Sequence, residues 1–493
     1  MADDTENPTT PTAPQMAADD FRRYGHAVVD WIADYWQTVE RHPVQSTAAP
    51  GAVAGALPAA PPERGERFDA ILADLDRVVV PGLTHWQHPG FFGYFPANTS
   101  APSVLGDLVS AGLGVQGMLW ATSPACTELE TVVMDWLAQL LELPQRFRSD
   151  SAGGGVIQDS ASSATLVATL AALHRASGGD WRAVGTATST APGTGGYTVY
   201  TSTQGHSSIE KAARIAGVGD RGVRLVDVDP VTLAMRPDAL RTAIAADLAA
   251  GHRPAIVVAT IGTTSTTAID PVTEIGRICA EYGVWLHVDA AYAGAAAVCP
   301  ELRWTHAGLE WADSYCFDPH KWLLTGFDCD AFWVADRAGL VEALTVMPEY
   351  LRNALTESGA VLDYRDWQVP LGRRFRALKL WFVLRWYGAE GLRAHVRAGV
   401  AHAAWFADQV RADDRFDLVT AGPFGLVCFQ LRDQPDEAAE ALLRRVNADG
   451  RVLLTHTRVA GRFTLRLAVG GPRTERRHVA TAWQLISDSA EAR

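Results

Sequence analysis

Residues 271–290 read PVTEIGRICAEYGVWLHVDA. The first part, PVTEIGRICAEYG, has a helical pattern. VWLHVDA is a strand apolar enough to be buried on both faces. A helix leading into such a strand is the repeating unit of a parallel sheet wrapped by helices. The same alternation runs over residues 153–335. Candidate strands are AVGTAT (183–188), YTVYTS (197–202), GVRLVDV (222–228), PAIVVATIG (254–262), VWLHVDA (284–290), DSYCFD (313–318) and DAFWVAD (330–336). The expectation is an α/β fold with a mainly parallel, seven-stranded sheet.

At 493 residues the chain is too long for one ordinary core. Residues 1–20 are acidic and rich in Pro and Thr, and read as a disordered tail. Residues 21–100 read as an N-terminal helical arm, a Pro/Ala/Gly linker and an aromatic loop, THWQHPGFFGYFPANTS. Residues 101–369 form the large domain. Residues 370–493 form a small C-terminal α+β domain, with two amphipathic helices and then alternating strands. Composition, with 48% apolar and 20% charged residues, is that of a soluble globular protein. There is no apolar run long enough for a spanning helix and no basic start of a signal peptide. A net charge of −13 argues against a nucleic-acid or anionic-membrane surface. Six cysteines without a CxxC pair fit reduced thiols in a cytoplasm.

Of the 43 Lys and Arg residues only Lys211, Lys321 and Lys379 are lysine. Where a surface cation suffices, arginine can serve. Where a neutral amine must attack a carbonyl it cannot, because guanidinium stays protonated. Lys321 stands directly after a histidine in the apolar run SYCFDPHKWLLTGFDC (314–329), whereas Lys211 and Lys379 read as members of solvated helix faces. GVGDRG (217–222) matches a dinucleotide fingerprint. However, it follows a helix and opens a strand, the reverse of the required context, and so reads as a turn. His287 and Asp289 share a strand face, but spacing offers no third metal ligand, so no metal is expected.

Asp289 ends a buried strand, and a carboxylate there needs a partner. Strand ends of open α/β sheets face the ligand crevice. Lys321, His206 and the segment GGGVIQDSASSATLVATL also follow predicted strands. In that segment VIQ is a short strand, and Ser160–Ser162 then opens a helix whose free N–H groups can seat a phosphate. An amine, an anion, a phosphate seat and a flat stacking group together describe pyridoxal 5'-phosphate.

The chain resembles the fold type I, group II pyridoxal-phosphate decarboxylases, and within them the aromatic L-amino acid decarboxylases. The resemblance runs from about Phe21 to Ile486. It rests on THWQHPGFFGYFP, SPACTELETVVMDWL, GVIQDSASSATLVA, HSSIEKA, HVDAAYAG, DPHKWLL and LGRRFRALKLWFVLRWYG. It implies that Lys321 bears the cofactor, Asp289 pairs its ring nitrogen, and Ser160, Ala161 and Ser162 seat its phosphate. Ala291 and His206 lie on its two ring faces, with Thr263, Asp318 and His320 close by. Animal members usually carry Asn at the position of Asp318. Tyr350 matches the family's mobile-loop tyrosine, which reaches the partner's site, so an obligate homodimer with active sites at the subunit interface is implied. His206 and Tyr350 are both candidate proton donors.

For the substrate, the resemblance points to Trp86, Tyr94, Phe95, Ala97, Gln116, Met118, His206 and Gly372. Plant members with glycine at the position of Gly372 tend toward indoles. The implied reaction is decarboxylation of tryptophan, tyrosine, DOPA or phenylalanine to the arylalkylamine. Two alternatives stay open beside it. One is a same-fold aldehyde synthase, or a decarboxylase of histidine, glutamate or diaminobutyrate. The other is a non-enzyme that keeps the fold, against which the intact Lys, Asp, His and Tyr set speaks.

Overall fold

The computed structural model describes residues 15–186, 195–346, 355 and 360–491. The chain divides into two compact units, Met1–His85 and Trp86–Arg493. Most of the expected tail, residues 1–14, lies outside the described residues. In the first unit, helix α1 (Ala18–Thr38) has an amphipathic pattern and no buried residue. Its Tyr24 stacks on Phe68 at 4.5 Å, and Trp31 donates to Asp76 at 3.0 Å.

The second unit holds a seven-stranded sheet in the order β1-β7-β6-β5-β4-β2-β3. Its strands are β1 (Gly154–Gln158), β2 (Tyr197–Ser202), β3 (Val223–Val226), β4 (Arg253–Thr260), β5 (Trp285–Asp289), β6 (Ser314–Phe317) and β7 (Asp330–Val334). Neighbours from β3 through β6 pair in parallel; β7 runs antiparallel to both β6 and β1. The sheet is therefore mainly parallel, as expected, but one member differs. AVGTAT is not a strand in its described part. Trp181–Val184 is a short helix that ends at Gly185 with φ 67°, and residues 187–188 lie outside the described residues. Small residues around a left-handed glycine offer little to a pleated sheet. The seventh strand is GGVIQ, directly before the proposed phosphate helix.

Central β5 is buried along its whole length. The preceding helix ends at Tyr282, where Gly283 at φ 70° caps it by donating to Cys279, and the chain turns into β5. Beyond Tyr364 come α2 (Arg376–Ala412), kinked at Gly388 with φ 59°, and an antiparallel four-stranded sheet. That sheet includes Phe416–Ala421 and Thr455–Val459 beside the two strands legible in the sequence.

Lys379 corrects an expectation. It is not on a solvated face but is 1% exposed, with its ammonium 3.1 Å from Asp107 Oδ2. Its flanking Arg and Trp residues suggested exposure, yet the helix turns this position against Gly106, which lacks the side chain that would block it. All six cysteines are buried and unpaired. Among the described residues no helix is long and apolar enough to cross a membrane.

Candidate active site

The parallel strands end along one edge of the large sheet, and antiparallel β7 begins there. Such an edge is where open α/β sheets hold ligands. Phe317 closes β6, and Asp318 leads into a single turn of helix, Pro319–Trp322. Lys321 Nζ lies 2.7 Å from Asp318 Oδ2. Burial opposes the ammonium charge, but Asp318 outweighs it and holds the lysine above its ordinary pKa.

The lysine turn is clamped from outside. Asn98 N–H donates to His320 O at 2.7 Å, and Asn98 Oδ1 accepts from Leu324 N–H at 3.2 Å. Ser100 Oγ donates to Leu324 O at 2.6 Å, and Cys329 N–H donates to His320 Nδ1 at 3.0 Å. Burial holds the His320 imidazole below its ordinary pKa. Its Nε2 stands 3.7 Å from Asp318 Oδ1, too far for a hydrogen bond.

Asp289 ends β5 with 4% exposure, and its Oδ1 accepts from Ala291 N–H at 2.9 Å. Burial pushes its pKa up; that hydrogen bond and Lys321 pull it back. Ala291 O in turn accepts from Asp318 N–H at 2.9 Å, joining the β5 and β6 ends. His206 caps the helix Ser207–Ile215. Its Nδ1 accepts from Ser208 N–H at 3.2 Å, which leaves the ring proton on Nε2. Desolvation lowers the His206 pKa, Asp289 opposes that shift, and Lys321 adds to it. The imidazole is thus neutral and felt by both partners.

Ser160 is the N-cap of the helix Ala161–Ala176. Its hydroxyl accepts from Ser163 N–H at 3.4 Å and donates to Asp159 at 2.9 Å. Ala161 N–H donates to Asp318 Oδ1 at 3.1 Å, so this helix start already serves an anion, while Ser162 is exposed. Thr263 is buried in the loop after β4, where its Oγ1 accepts from Ala268 N–H at 3.0 Å.

The expected substrate residues fall into separate groups. Phe95 is buried and stacks on Tyr292 at 3.8 Å, and Tyr292 stacks on Trp322 at 4.9 Å, next to Lys321. Trp86 and Tyr94 are exposed and stack on each other at 5.6 Å. Ala97 accepts from Gln87 at 2.6 Å, and the Met118 carbonyl accepts from Arg365 N–H at 3.1 Å. Gln116 Oε1 accepts from Arg373 N–H, and a Cβ at Gly372 would stand 3.3 Å from Gln116 Nε2. Tyr350 lies outside the described residues.

Sequence reasoning passed over two residues. Asn98, in the polar end of the aromatic loop, was hidden because its partners are far along the chain. Asp330 carried a signal: it is an acid opening an apolar strand, like Asp289 closing one.

Residues 50–432 match the pyridoxal-dependent decarboxylase conserved domain. The chain belongs to the pyridoxal-dependent decarboxylase family. An aromatic-L-amino-acid decarboxylase of Mus musculus is 46% identical, covering 97% of this chain and 98% of that protein. A phenylacetaldehyde synthase of Arabidopsis thaliana is 44% identical, covering 98% and 99%. The solved structure of Oryza sativa TDC with PLP and tryptamine superposes with a TM-score of 0.93 at 42% identity, covering 98% and 99%. This decarboxylase is a carboxy-lyase, and its cofactor is pyridoxal phosphate. The donor set fits that cofactor: an amine on a clamped turn, a buried carboxyl, and a helix N–H that already binds an anionic oxygen.

Proposed function

We propose that the enzyme removes the carboxylate of an aromatic L-amino acid and releases the arylalkylamine and carbon dioxide. The observation that carries this reading is the gathering of Lys321, Asp289, His206 and the Ala161 helix start at one sheet edge. In this reading Lys321 binds the cofactor through its amine, and Asp289 holds a proton at the ring nitrogen. Ser160, Ala161 and Ser162 receive the phosphate, Ala291 and His206 lie against the ring faces, Thr263 borders the ring, and Asp318 and His320 flank the lysine. Bound pyridoxal phosphate supplies an electron-accepting ring when a bond at the substrate α-carbon breaks. His206, with Nδ1 tied to the backbone, keeps its Nε2 proton available as a donor, and Tyr350 is the second candidate.

The stack Phe95–Tyr292–Trp322 beside Lys321 supports a flat apolar substrate. The glycine at position 372, which goes with indoles in the plant members the chain resembles, supports tryptophan as the preferred one, and a Cβ there would stand 3.3 Å from Gln116 Nε2. Gly372→Ser is expected to press on Gln116 and to shift the ratio of kcat/KM for tryptophan over tyrosine downward by about tenfold or more. Steady-state rates with both amino acids measure it; an unchanged ratio removes Gly372 from the substrate site.

A second reading, an aldehyde synthase, is favoured by the similarity to the phenylacetaldehyde synthase. One assay separates the two. The first reading expects amine and carbon dioxide in equal amounts; the second expects oxygen uptake with aldehyde, ammonia and peroxide. Tyr350→Phe is expected to keep carbon dioxide release and divert product to aldehyde. Clean amine from that variant assigns the proton to His206, and abundant peroxide from the wild type establishes the second reading.

A cytoplasmic homodimer with active sites at the subunit interface completes the proposal. The helix Ala101–Leu113 supports it, since Leu105, Leu108, Val109 and Leu113 are all exposed. The six buried, unpaired cysteines are compatible with a reducing compartment.

A further inference from the structure

β6 and β7 pair antiparallel, with Cys316 opposite Phe332 and Phe317 opposite Ala331. One step further along that register, Asp318 faces Asp330. Residues directly opposite in such a pair have Cβ atoms about 4.5–5.5 Å apart, and like charges there repel. Both acids are buried, at 2% and 0% exposure. Asp318 is well supplied with donors, Lys321 Nζ at 2.7 Å and Ala161 N–H at 3.1 Å. Among the described residues, neither oxygen of Asp330 accepts a hydrogen bond from another group. An acid so placed is satisfied only as a neutral carboxyl that donates its own proton, and Asp318 is the acceptor opposite.

The electrostatics agree. Burial, then the charge of Asp318, pushes Asp330 far above the carboxylate range. Burial also works against the charge on Asp318, but Lys321 overcomes it and holds Asp318 below the usual value. The pair therefore carries one proton, on Asp330, and one negative charge, on Asp318. That charge occupies the N–H of Ala161, the seat assigned above to the cofactor phosphate. A phosphate monoester is largely dianionic above about pH 7. Such a dianion meets a buried carboxylate in its own seat.

We propose that phosphate binding at the Ala161 helix start draws one proton from water onto Asp318, so that Asp318 and Asp330 are both neutral carboxyls in the loaded site. One O–H bond forms on Asp318, the proton leaves the solvent buffer, and Asp318 turns from a competing anion into a hydrogen-bond donor. The other titratable groups facing the pair are Lys321, Asp289, His206, His320, Cys316, Cys329 and Tyr315. Lys321 keeps its proton while no aldehyde has met its amine, because Asp289 still favours its charge. Burial keeps both histidines and the Cys316, Cys329 and Tyr315 side chains neutral. Asp289, itself pushed up by burial, is committed to the ring nitrogen.

The proposal rests on the phosphate seat of the proposed function, and the test separates the two. The full-length chain, freed of cofactor, is titrated calorimetrically with pyridoxine 5'-phosphate, which has the ring and phosphate but no aldehyde for Lys321. Titrations run between about pH 7 and about pH 9, where the phosphate stays dianionic, in two buffers of different ionisation heat. Wild type is expected to take up about one proton per site more than Asp318→Asn. Uptake on binding means affinity falls as pH rises, close to tenfold in Kd per pH unit. Asp318→Asn, already neutral and able to donate, is expected to show a much flatter Kd. Asp330→Asn is expected to keep the wild-type slope, because its amide still donates to Asp318. Equal slopes in wild type and Asp318→Asn overturn the proposal while the phosphate seat stands. Loss of the slope in Asp330→Asn also overturns it, by moving the proton to the other acid. Absence of binding by the wild type overturns the seat and the proton step together.

Discussion

Lys321→Arg is expected to yield a folded protein with no visible absorption from bound cofactor and no repeated turnover. The choice of arginine isolates the amine from the charge. A guanidinium can still pair with Asp318, whose oxygen lies 2.7 Å from Nζ in the wild type, so the buried carboxylate keeps a cation. It cannot become a neutral nucleophile, because it stays protonated at any pH the fold tolerates. The neighbouring clamps do not depend on the side chain. Asn98, Ser100 and Cys329 bind backbone and His320 atoms around the turn. Loss of turnover is therefore expected without loss of fold, with kcat lower by roughly 10⁴ or more. Lys321→Ala should lose the band as well, but it also strips Asp318 of its cation, which makes it the less discriminating variant. Lys211→Arg, exposed on the helix after His206, should keep both band and rate. Absorption spectra with a thermal melt decide the matter. A wild-type visible band and normal turnover in Lys321→Arg would remove the lysine from the cofactor site.

The sheet and its ligand edge were legible because each parallel strand is a short apolar run followed by a polar signal. VWLHV runs into Asp289, and SYCF is followed by Asp318. Local chemistry of this kind survives reading one residue at a time. What was hidden depends on contacts distant in sequence. Lys379 looked solvated because its helix neighbours are Arg and Trp, yet Asp107 supplies its partner. Asn98 holds the Lys321 turn from far upstream. The Asp318–Asp330 pairing follows from the register of one antiparallel pair in a sheet expected to be mainly parallel, and register is not written in either strand alone. AVGTAT failed for a different reason: threonine and valine suggest a strand, but Gly185 takes a left-handed backbone there. Packing divides the aromatic loop. Phe91, Phe92 and Phe95 are buried, while Trp86 and Tyr94 are exposed.

Asp289→Asn is expected to keep the cofactor and lose most of the rate. The variant preserves shape: an amide oxygen can still accept from Ala291 N–H, now 2.9 Å from Oδ1, so the end of β5 and its link to Asp318 should hold. It removes the ability to balance a positive ring nitrogen. An anion preorganised against developing charge in a buried site contributes about 2.7–4 kcal/mol, so kcat should fall by roughly 10²–10³ while cofactor binding through Lys321 persists. A stability signature should accompany that loss in the cofactor-free chain. Burial raises the folded pKa of Asp289 above its unfolded value. A raised group contributes stability that is full below the unfolded pKa and is lost as pH rises through the folded one. Wild type should therefore lose stability from about pH 4 upward through this residue, and Asn, which does not titrate, should not. The midpoint difference between the two chains should then move in favour of Asp289→Asn on going from acid to neutral pH. Carbon dioxide release, the visible spectrum and melts across that range test the three statements together. Near wild-type release from Asp289→Asn would detach the residue from the ring nitrogen. A midpoint difference that stays flat with pH would mean that Asp289 is solvated or paired in the cofactor-free chain, and that its raised pKa is not what prepares it to meet a cation.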